Sequence, residues 1–237
     1  MFRNSRYNTE VCKLVFPGLM LLFLAFSCSN RQESVKKLPI YGSREAIEKT
    51  DENDKTLTDT LYHSIGDFSF VDQDSSQITP ETFKNKIYVT DFFFTTCPSI
   101  CPKMTAQMIR VYEKYKNNPR VKILSHTIDP THDTVQVLRE YARNLGVSSD
   151  TWHFVTGNKE DLFQMGRKNY MVAVVEDENA EGGFFHGGHF LLIDANKHIR
   201  GIYDGTDPLD VSELLEDIPI LLEEMGDKNE ENKNIDL

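Results

Sequence analysis

Ile87-Tyr88-Val89-Thr90-Asp91-Phe92-Phe93-Phe94-Thr95-Thr96-Cys97-Pro98-Ser99-Ile100-Cys101-Pro102-Lys103 is the stretch on which the reading of this chain turns. Its first eight residues form an almost unbroken apolar run rich in β-formers, the pattern of a central strand covered on both faces. Pro102 suits the first turn of a helix. Beyond it Met104, Met108, Val111, Tyr112 and Tyr115 fall at helical spacing, in a stripe that ends near Asn117-Asn118-Pro119. Cys97 and Cys101 therefore lie where a buried strand turns into an amphipathic helix. The start of a helix leaves backbone N–H groups unpaired and carries the positive end of its dipole, which favours thiolate over thiol. Thiolate is the form that binds soft metals and attacks disulfides.

Strand and helix patterns alternate outward from this point. Phe68 to Val71 reads as a short strand, Pro80 to Lys84 as a helical turn and Val121 to Ile128 as the strand after the cysteine helix. A helix from Thr134 to Leu145, with Asp133 as its N-cap and Gly146 as its stop, comes next. Trp152 to Val155 is a strand, Lys159 to Lys168 a helix, Met171 to Val175 a strand, and Phe185 to Asp194 a longer strand. Ile199 to Tyr203 is the hairpin partner of that longer strand, and Pro208 to Glu224 is a last helix. The order predicts one mixed sheet with helices on both faces, the α/β class.

Both ends differ from this body in composition. Arg3, Arg6 and Lys13 precede an apolar run from Leu14 to Phe26, broken only by Pro17 and Gly18. That run is shorter than the roughly 20 residues a spanning helix needs and fits a secretory signal. Leu24-Ala25-Phe26-Ser27-Cys28 resembles a lipobox, with Cys28 as the residue acylated after cleavage. Residues 1–28 are thus expected to be a signal segment, 29–55 a polar flexible tether, 56–225 the folded domain, and 226–237 a disordered acidic tail. The expected location is the cell envelope, on a periplasmic or extracytoplasmic face, lipid-anchored to a membrane. Of 237 residues 39% are hydrophobic, enough for one such domain with a core. The net charge of −11 excludes counter-ion release on a polyanion as a driving force, and with it nucleic acid as a partner.

Removing Cys12 with the signal and Cys28 with the lipid leaves Cys97 and Cys101 as the thiols of the mature domain. Their spacing allows either one metal ion or one disulfide, and spacing alone does not choose. Two thiolates with one imidazole form a soft three-ligand set suited to Cu(I) and able to hold Cu(II). Seven histidines are available. His63, His132, His153 and His198 read as surface or packing residues, and His126 as a buried strand histidine. Gly182-Gly183-Phe184-Phe185-His186-Gly187-Gly188-His189 remains, with glycines that let backbone approach closely. On one continuous strand His186 and His189 point to opposite faces, so one of the two reaches the sulfurs.

Cys97-Pro98-x-x-Cys101-Pro102 after an apolar strand, Asp129-Pro130-x-x-Asp133 after the next strand, Trp152 with Thr156-Gly157 before a helix, and a histidine eight residues before a turn together resemble the Sco/SenC family of copper chaperones. The likeness runs from about Phe68 to Gly205. It implies a thioredoxin-like fold, a metal set of Cys97, Cys101 and His186 holding one copper per chain, and His189 as a non-ligand. It also implies delivery of copper to the binuclear centre of cytochrome c oxidase, through its subunit II or another copper protein, with a copper donor protein upstream. Asp129 and Asp133 match family positions, while a turn and a helix cap account for them equally well. The competing reading is a thiol–disulfide oxidoreductase, in which Cys97 attacks and Cys101 resolves without obligatory metal. A peroxidase of the same fold lacks its companion residues here, and an inert disulfide would close too short a loop to stabilise much.

Overall fold

The structure, a computed structural model, describes residues 36–50, 56–177 and 183–235. In chain order it contains β1 (Arg44–Thr50), β2 (Thr56–Tyr62), β3 (Phe70–Asp72), β4 (Gln77–Ile78), a 3-10 turn (Pro80–Phe83), β5 (Ile87–Phe93), α1 (Cys101–Tyr115), β6 (Val121–Thr127), α2 (Val135–Leu145) and β7 (Trp152–Thr156). These are followed by α3 (Lys159–Gln164), which runs into a π-turn (Met165–Asn169), then β8 (Val174–Glu176), β9 (Phe184–His186), β10 (His189–Ile193), β11 (Ile199–Asp204) and α4 (Pro208–Ile235). The main sheet has the order β11-β10-β5-β6-β7-β3-β4. Its centre, β5-β6-β7, is parallel and its flanks are antiparallel.

The apolar run of β5 is explained by its place: every residue from Ile87 to Phe93 is buried. Alternation sends Asp91 and Phe93 toward one layer, where Phe93 stacks on Tyr141 of α2 at 5.6 Å. Tyr88, Thr90, Phe92 and Phe94 face the other layer, where Phe92 meets Tyr170 at 5.8 Å. The helix α1 buries the expected stripe of Met104, Met108, Val111, Tyr112 and Tyr115, and Tyr115 and Lys114 donate to the Leu215 carbonyl of α4. So α1, α2 and α4 cover one face, and α3 with its π-turn covers the other. The domain is the mixed, two-faced α/β sheet that the order of patterns predicts.

Several boundaries differ. Of the predicted tether 29–55, residues 36–50 are structured. Leu38 is buried, Tyr41 bridges to Ile199, and the Arg200 guanidinium donates to the carbonyls of Leu38 and Pro39 while pairing with Asp194 and Glu224. Arg44–Thr50 then pairs antiparallel with Thr56–Tyr62, in a ribbon almost wholly exposed. The last helix passes its predicted end at Glu224, runs through the predicted tail from Gly226 and reaches Ile235. The signal segment, Cys28 and residues 29–35 lie outside the described residues, as does the predicted apolar run from Leu14 to Phe26. Among the described residues no helix is long and apolar enough to cross a membrane.

Two local readings also change. The predicted strand Phe185–Asp194 is two strands in two sheets, broken at Gly187-Gly188. The Gly187 N–H goes to Ala173, and the Gly188 carbonyl accepts from Gly205 at 2.7 Å, so neither can continue a ladder with β5. The cap of α2 is Thr134, whose side chain accepts from Val137, rather than Asp133, whose carboxylate is turned inward. Gly146 ends that helix as predicted, at φ 71°, a conformation glycine adopts without strain.

Candidate metal and thiol site

The chain leaves β5 through Phe94 and makes a tight turn in which the Cys97 N–H donates to the Phe94 carbonyl at 3.2 Å. Helix α1 opens at Cys101 with Ile100 as its N-cap, a residue with no side-chain acceptor. Cys97 lies against that helix start, its sulfur near the backbone N–H groups of Ser99 and Cys101 and 3.8 Å from the Ser99 hydroxyl. Burial pushes the Cys97 thiol up, but hydrogen bonds from the Cys101 thiol and from these N–H groups outweigh it, and the group sits below the usual cysteine range. Cys101 lies deeper. Burial and its hydrogen bond to Cys97 push it well above that range. The pair therefore holds one proton readily at Cys101 and gives one up readily at Cys97.

His186 approaches from the opposite layer. It ends β9, which pairs only with β8 in a ribbon separate from the main sheet, with Val174 opposite His186 and Glu176 opposite Phe184. Phe184 packs on Phe94 at 5.3 Å, and the His186 ring meets Phe94 edge-on at 6.1 Å. Its Nε2 is 3.4 Å from the Cys101 sulfur. Burial holds the imidazole below its usual range, with the Gly187 carbonyl opposing, so the ring is neutral and able to ligate.

The donor atoms of Cys97, Cys101 and His186 all lie within 4.8 Å of one another, the one such cluster of three His, Cys, Asp or Glu residues among the described residues. An ion bound at about 2.0–2.3 Å needs donors roughly 4 Å apart, so the three could hold a metal after a small contraction. Both cysteines are free thiols. The other histidines are engaged elsewhere or exposed. His63 bonds the Asn169 carbonyl at 2.7 Å, His132 pairs with Asp133, His153 with Asp72 and His198 with Asp194. His126 is enclosed by Phe92, Phe70 and Tyr170. His189 is exposed at the start of β10.

Two acidic residues support the site beyond what the sequence reading assigned to them. Asp133 is fully buried and accepts from the Thr95 N–H at 3.1 Å, from the Thr95 hydroxyl, and from the Thr127 hydroxyl at 2.6 Å. It thereby ties the cysteine turn to the end of β6. Asp129 stays in its turn, where its N–H donates to the Thr127 hydroxyl at 3.0 Å. Asp91, read only as part of an apolar strand, accepts from Ser125 at 2.5 Å, and Ser125 in turn accepts from the Trp152 indole at 2.9 Å. A carboxylate within a run that is buried on both faces is the signal that could have marked it.

A "SCO1 protein homolog" of Bacillus subtilis (strain 168) is 29% identical over 163 residues, covering 68% of this chain and 84% of that one. A SCO1/SenC family lipoprotein from Bacillus anthracis str. Ames has a similar structure, with TM-score 0.62, 28% identity, and coverage of 68% of this chain and 95% of that one. BsSco, described as having a disulfide switch and belonging to the Sco family of cytochrome c oxidase assembly proteins, aligns with TM-score 0.59 at 29% identity, covering 67% and 93%. The SCO1/SenC family model matches residues 58–223, most of the chain, and the chain belongs to the SCO1/SenC family.

Proposed function

We propose that this protein is an extracytoplasmic copper chaperone that binds one copper ion through Cys97, Cys101 and His186 and hands it to the binuclear copper centre of cytochrome c oxidase. The observation that carries the reading is the convergence of two sulfurs and a neutral imidazole from opposite faces of the sheet. Two thiolates and one nitrogen form a soft set with fewer ligands than a structural zinc site requires. Among the described residues no carboxylate joins the cluster, which disfavours hard cations. Attachment to a membrane through acylated Cys28 is part of the proposal, supported by the lipobox-like stretch and by the lipoprotein description of the Bacillus anthracis relative.

The test is copper stoichiometry on the reduced soluble domain beside a His186→Ala form. One ion per wild-type chain, lost in the variant while thiol reactivity is kept, is the expected result. Equal retention by both forms would remove the histidine from the ligand set.

A second activity is favoured by the unequal thiols. The Cys97 thiolate would attack a disulfide of the recipient, forming a mixed disulfide and releasing one recipient thiolate. Cys101, losing its proton to that leaving thiolate or to solvent, would then attack the Cys97 sulfur. The recipient leaves as a dithiol, and Cys97–Cys101 remains as the disulfide. Two electrons pass to the recipient, and its cysteines are ready for metal. This step needs no histidine, so His186→Ala should preserve it.

A further inference from the structure

At the rung farthest from His186, the ribbon that carries this histidine packs Phe184 on Phe94 of the sheet and also meets a lysine side chain from α3. Lys159 is the first residue of α3, and that helix start is fixed by Asn158, whose side chain accepts from the N–H groups of Glu160 at 2.9 Å and Asp161 at 3.2 Å. From this base the Lys159 ammonium pairs with Glu176 on β8 and lies 5.6 Å from the centre of the Phe184 ring on β9. Glu176 and Phe184 are register partners, so one ammonium grips both strands at the same rung. The same nitrogen lies 5.6 Å from the ring of Phe163, which belongs to α3. Beyond this rung the ribbon has no ladder to the main sheet. Residues at both of its ends, Met171 at φ 56° and Gly183 at φ 83°, occupy the left-handed region where backbone direction changes.

We propose that Lys159 is a positioning residue for the metal site, a clasp that sets how readily His186 swings away from the two sulfurs and hence how fast a bound ion is passed on. The inference rests on the copper reading for its consequence and on geometry alone for the clasp. An exposed ion pair and a cation–π contact each shift such an equilibrium about two- to threefold, so losing both should open the ribbon about three- to tenfold more often. The ligands themselves are untouched by the change. The ionic half of the clasp is screened by salt and the aromatic half much less so.

Two measurements on Lys159→Gln and Lys159→Arg decide it. Amide hydrogen exchange on the metal-free domain should rise about three- to tenfold at residues 174–176 and 183–186 in Lys159→Gln, with β5 and β6 unchanged, and return toward the parent in Lys159→Arg. Loss of Cu(I) to an excess of chelator should accelerate by a similar factor in Lys159→Gln, and less so in high salt, where the parent itself speeds up. The sulfur-to-copper charge-transfer band of the Cu(II) form should keep its energy. Unchanged ribbon exchange in Lys159→Gln, exchange raised across the whole sheet, or faster ribbon opening with unchanged copper loss would each overturn the proposal. Because exchange is read without metal, a parent protein that fails to hold copper refutes the function proposed above and leaves the clasp to be judged on exchange alone.

Discussion

Replacing Asp91 by asparagine should make the protein more stable at neutral and alkaline pH, and the structure sets the scale of the gain. The Asp91 carboxyl is 5% exposed, and its one side-chain partner is the Ser125 hydroxyl. Burial pushes its pKa up from 3.8 to about 7, with the Ser125 hydrogen bond opposing. Between those values the folded protein keeps a proton that the unfolded chain has released. Its contribution is therefore full below the unfolded pKa and lost as pH rises through about 7, to a total of roughly 4 kcal/mol. Asparagine is neutral throughout and can accept the same bond from Ser125. Asp91→Asn should thus match the parent near pH 4 and exceed it by up to roughly 4 kcal/mol at pH 8. His126 sharpens the test, because burial holds it down from 6.5 to about 3. Its contribution is present above the unfolded pKa and falls as the solution is acidified toward 3, so it opposes Asp91 over most of that range. With Asp91 neutralised, the stability of the variant should fall by about 1.4 kcal/mol per pH unit of acidification below 6.5. Urea unfolding of the reduced, metal-free domain from pH 4 to pH 8 measures both effects. A variant no more stable than the parent at pH 8, or one with flat stability below pH 6.5, would refute the reasoning.

Three other outcomes are expected. At pH 8 iodoacetamide should label Cys97 well before Cys101, since the first thiol lies below and the second above the ordinary range; peptide mapping showing equal labelling counts against the assigned asymmetry. Asp133→Ala leaves the buried Thr127 hydroxyl and the Thr95 N–H without their acceptor, and thermal melts should show a loss of about 2–4 kcal/mol, whereas a loss below 1 kcal/mol would mean that the cysteine turn holds itself. Gly166→Ala would place its new methyl 2.5 Å from a Val174 methyl group and 3.3 Å from Phe92. It should cost about 1–3 kcal/mol and, because Val174 is opposite His186, also weaken copper binding; unaltered affinity would uncouple the π-turn from the ribbon.

What the sequence made readable follows from how locally each signal is encoded. The run Ile87–Phe94 and the stripe from Met104 to Tyr115 depend on burial periodicity within one element, and both are found as read, as is the left-handed stop at Gly146. His186 could be chosen over His189 only through a family resemblance, and the alternation argument supplied no true reason. The two lie in different sheets because Gly187 and Gly188 spend their hydrogen bonds on Ala173 and Gly205, distant partners that no window of sequence contains. The ribbon of Arg44–Thr50 and Thr56–Tyr62 was missed because its strands are exposed on both sides and so carry no burial pattern. Asp133 has the composition of a cap, and only its enclosure beneath Thr95 redirects it to bracing the turn.

The sulfur of Cys101 and the imidazole of His186 are separated by 85 positions in the chain. Joining them through one ion would close a single circuit running from the start of α1 to the end of β9, fastened where the two layers meet. Such a fastening favours the loaded form over the denatured chain, because the ion meets all three donors only where the fold has brought them together. Unfastening, by contrast, asks only for movement of a three-residue strand that no part of the sheet's ladder depends on. Cargo can then be surrendered with the scaffold intact, so loading reinforces the fold while unloading leaves it in place for the next cycle.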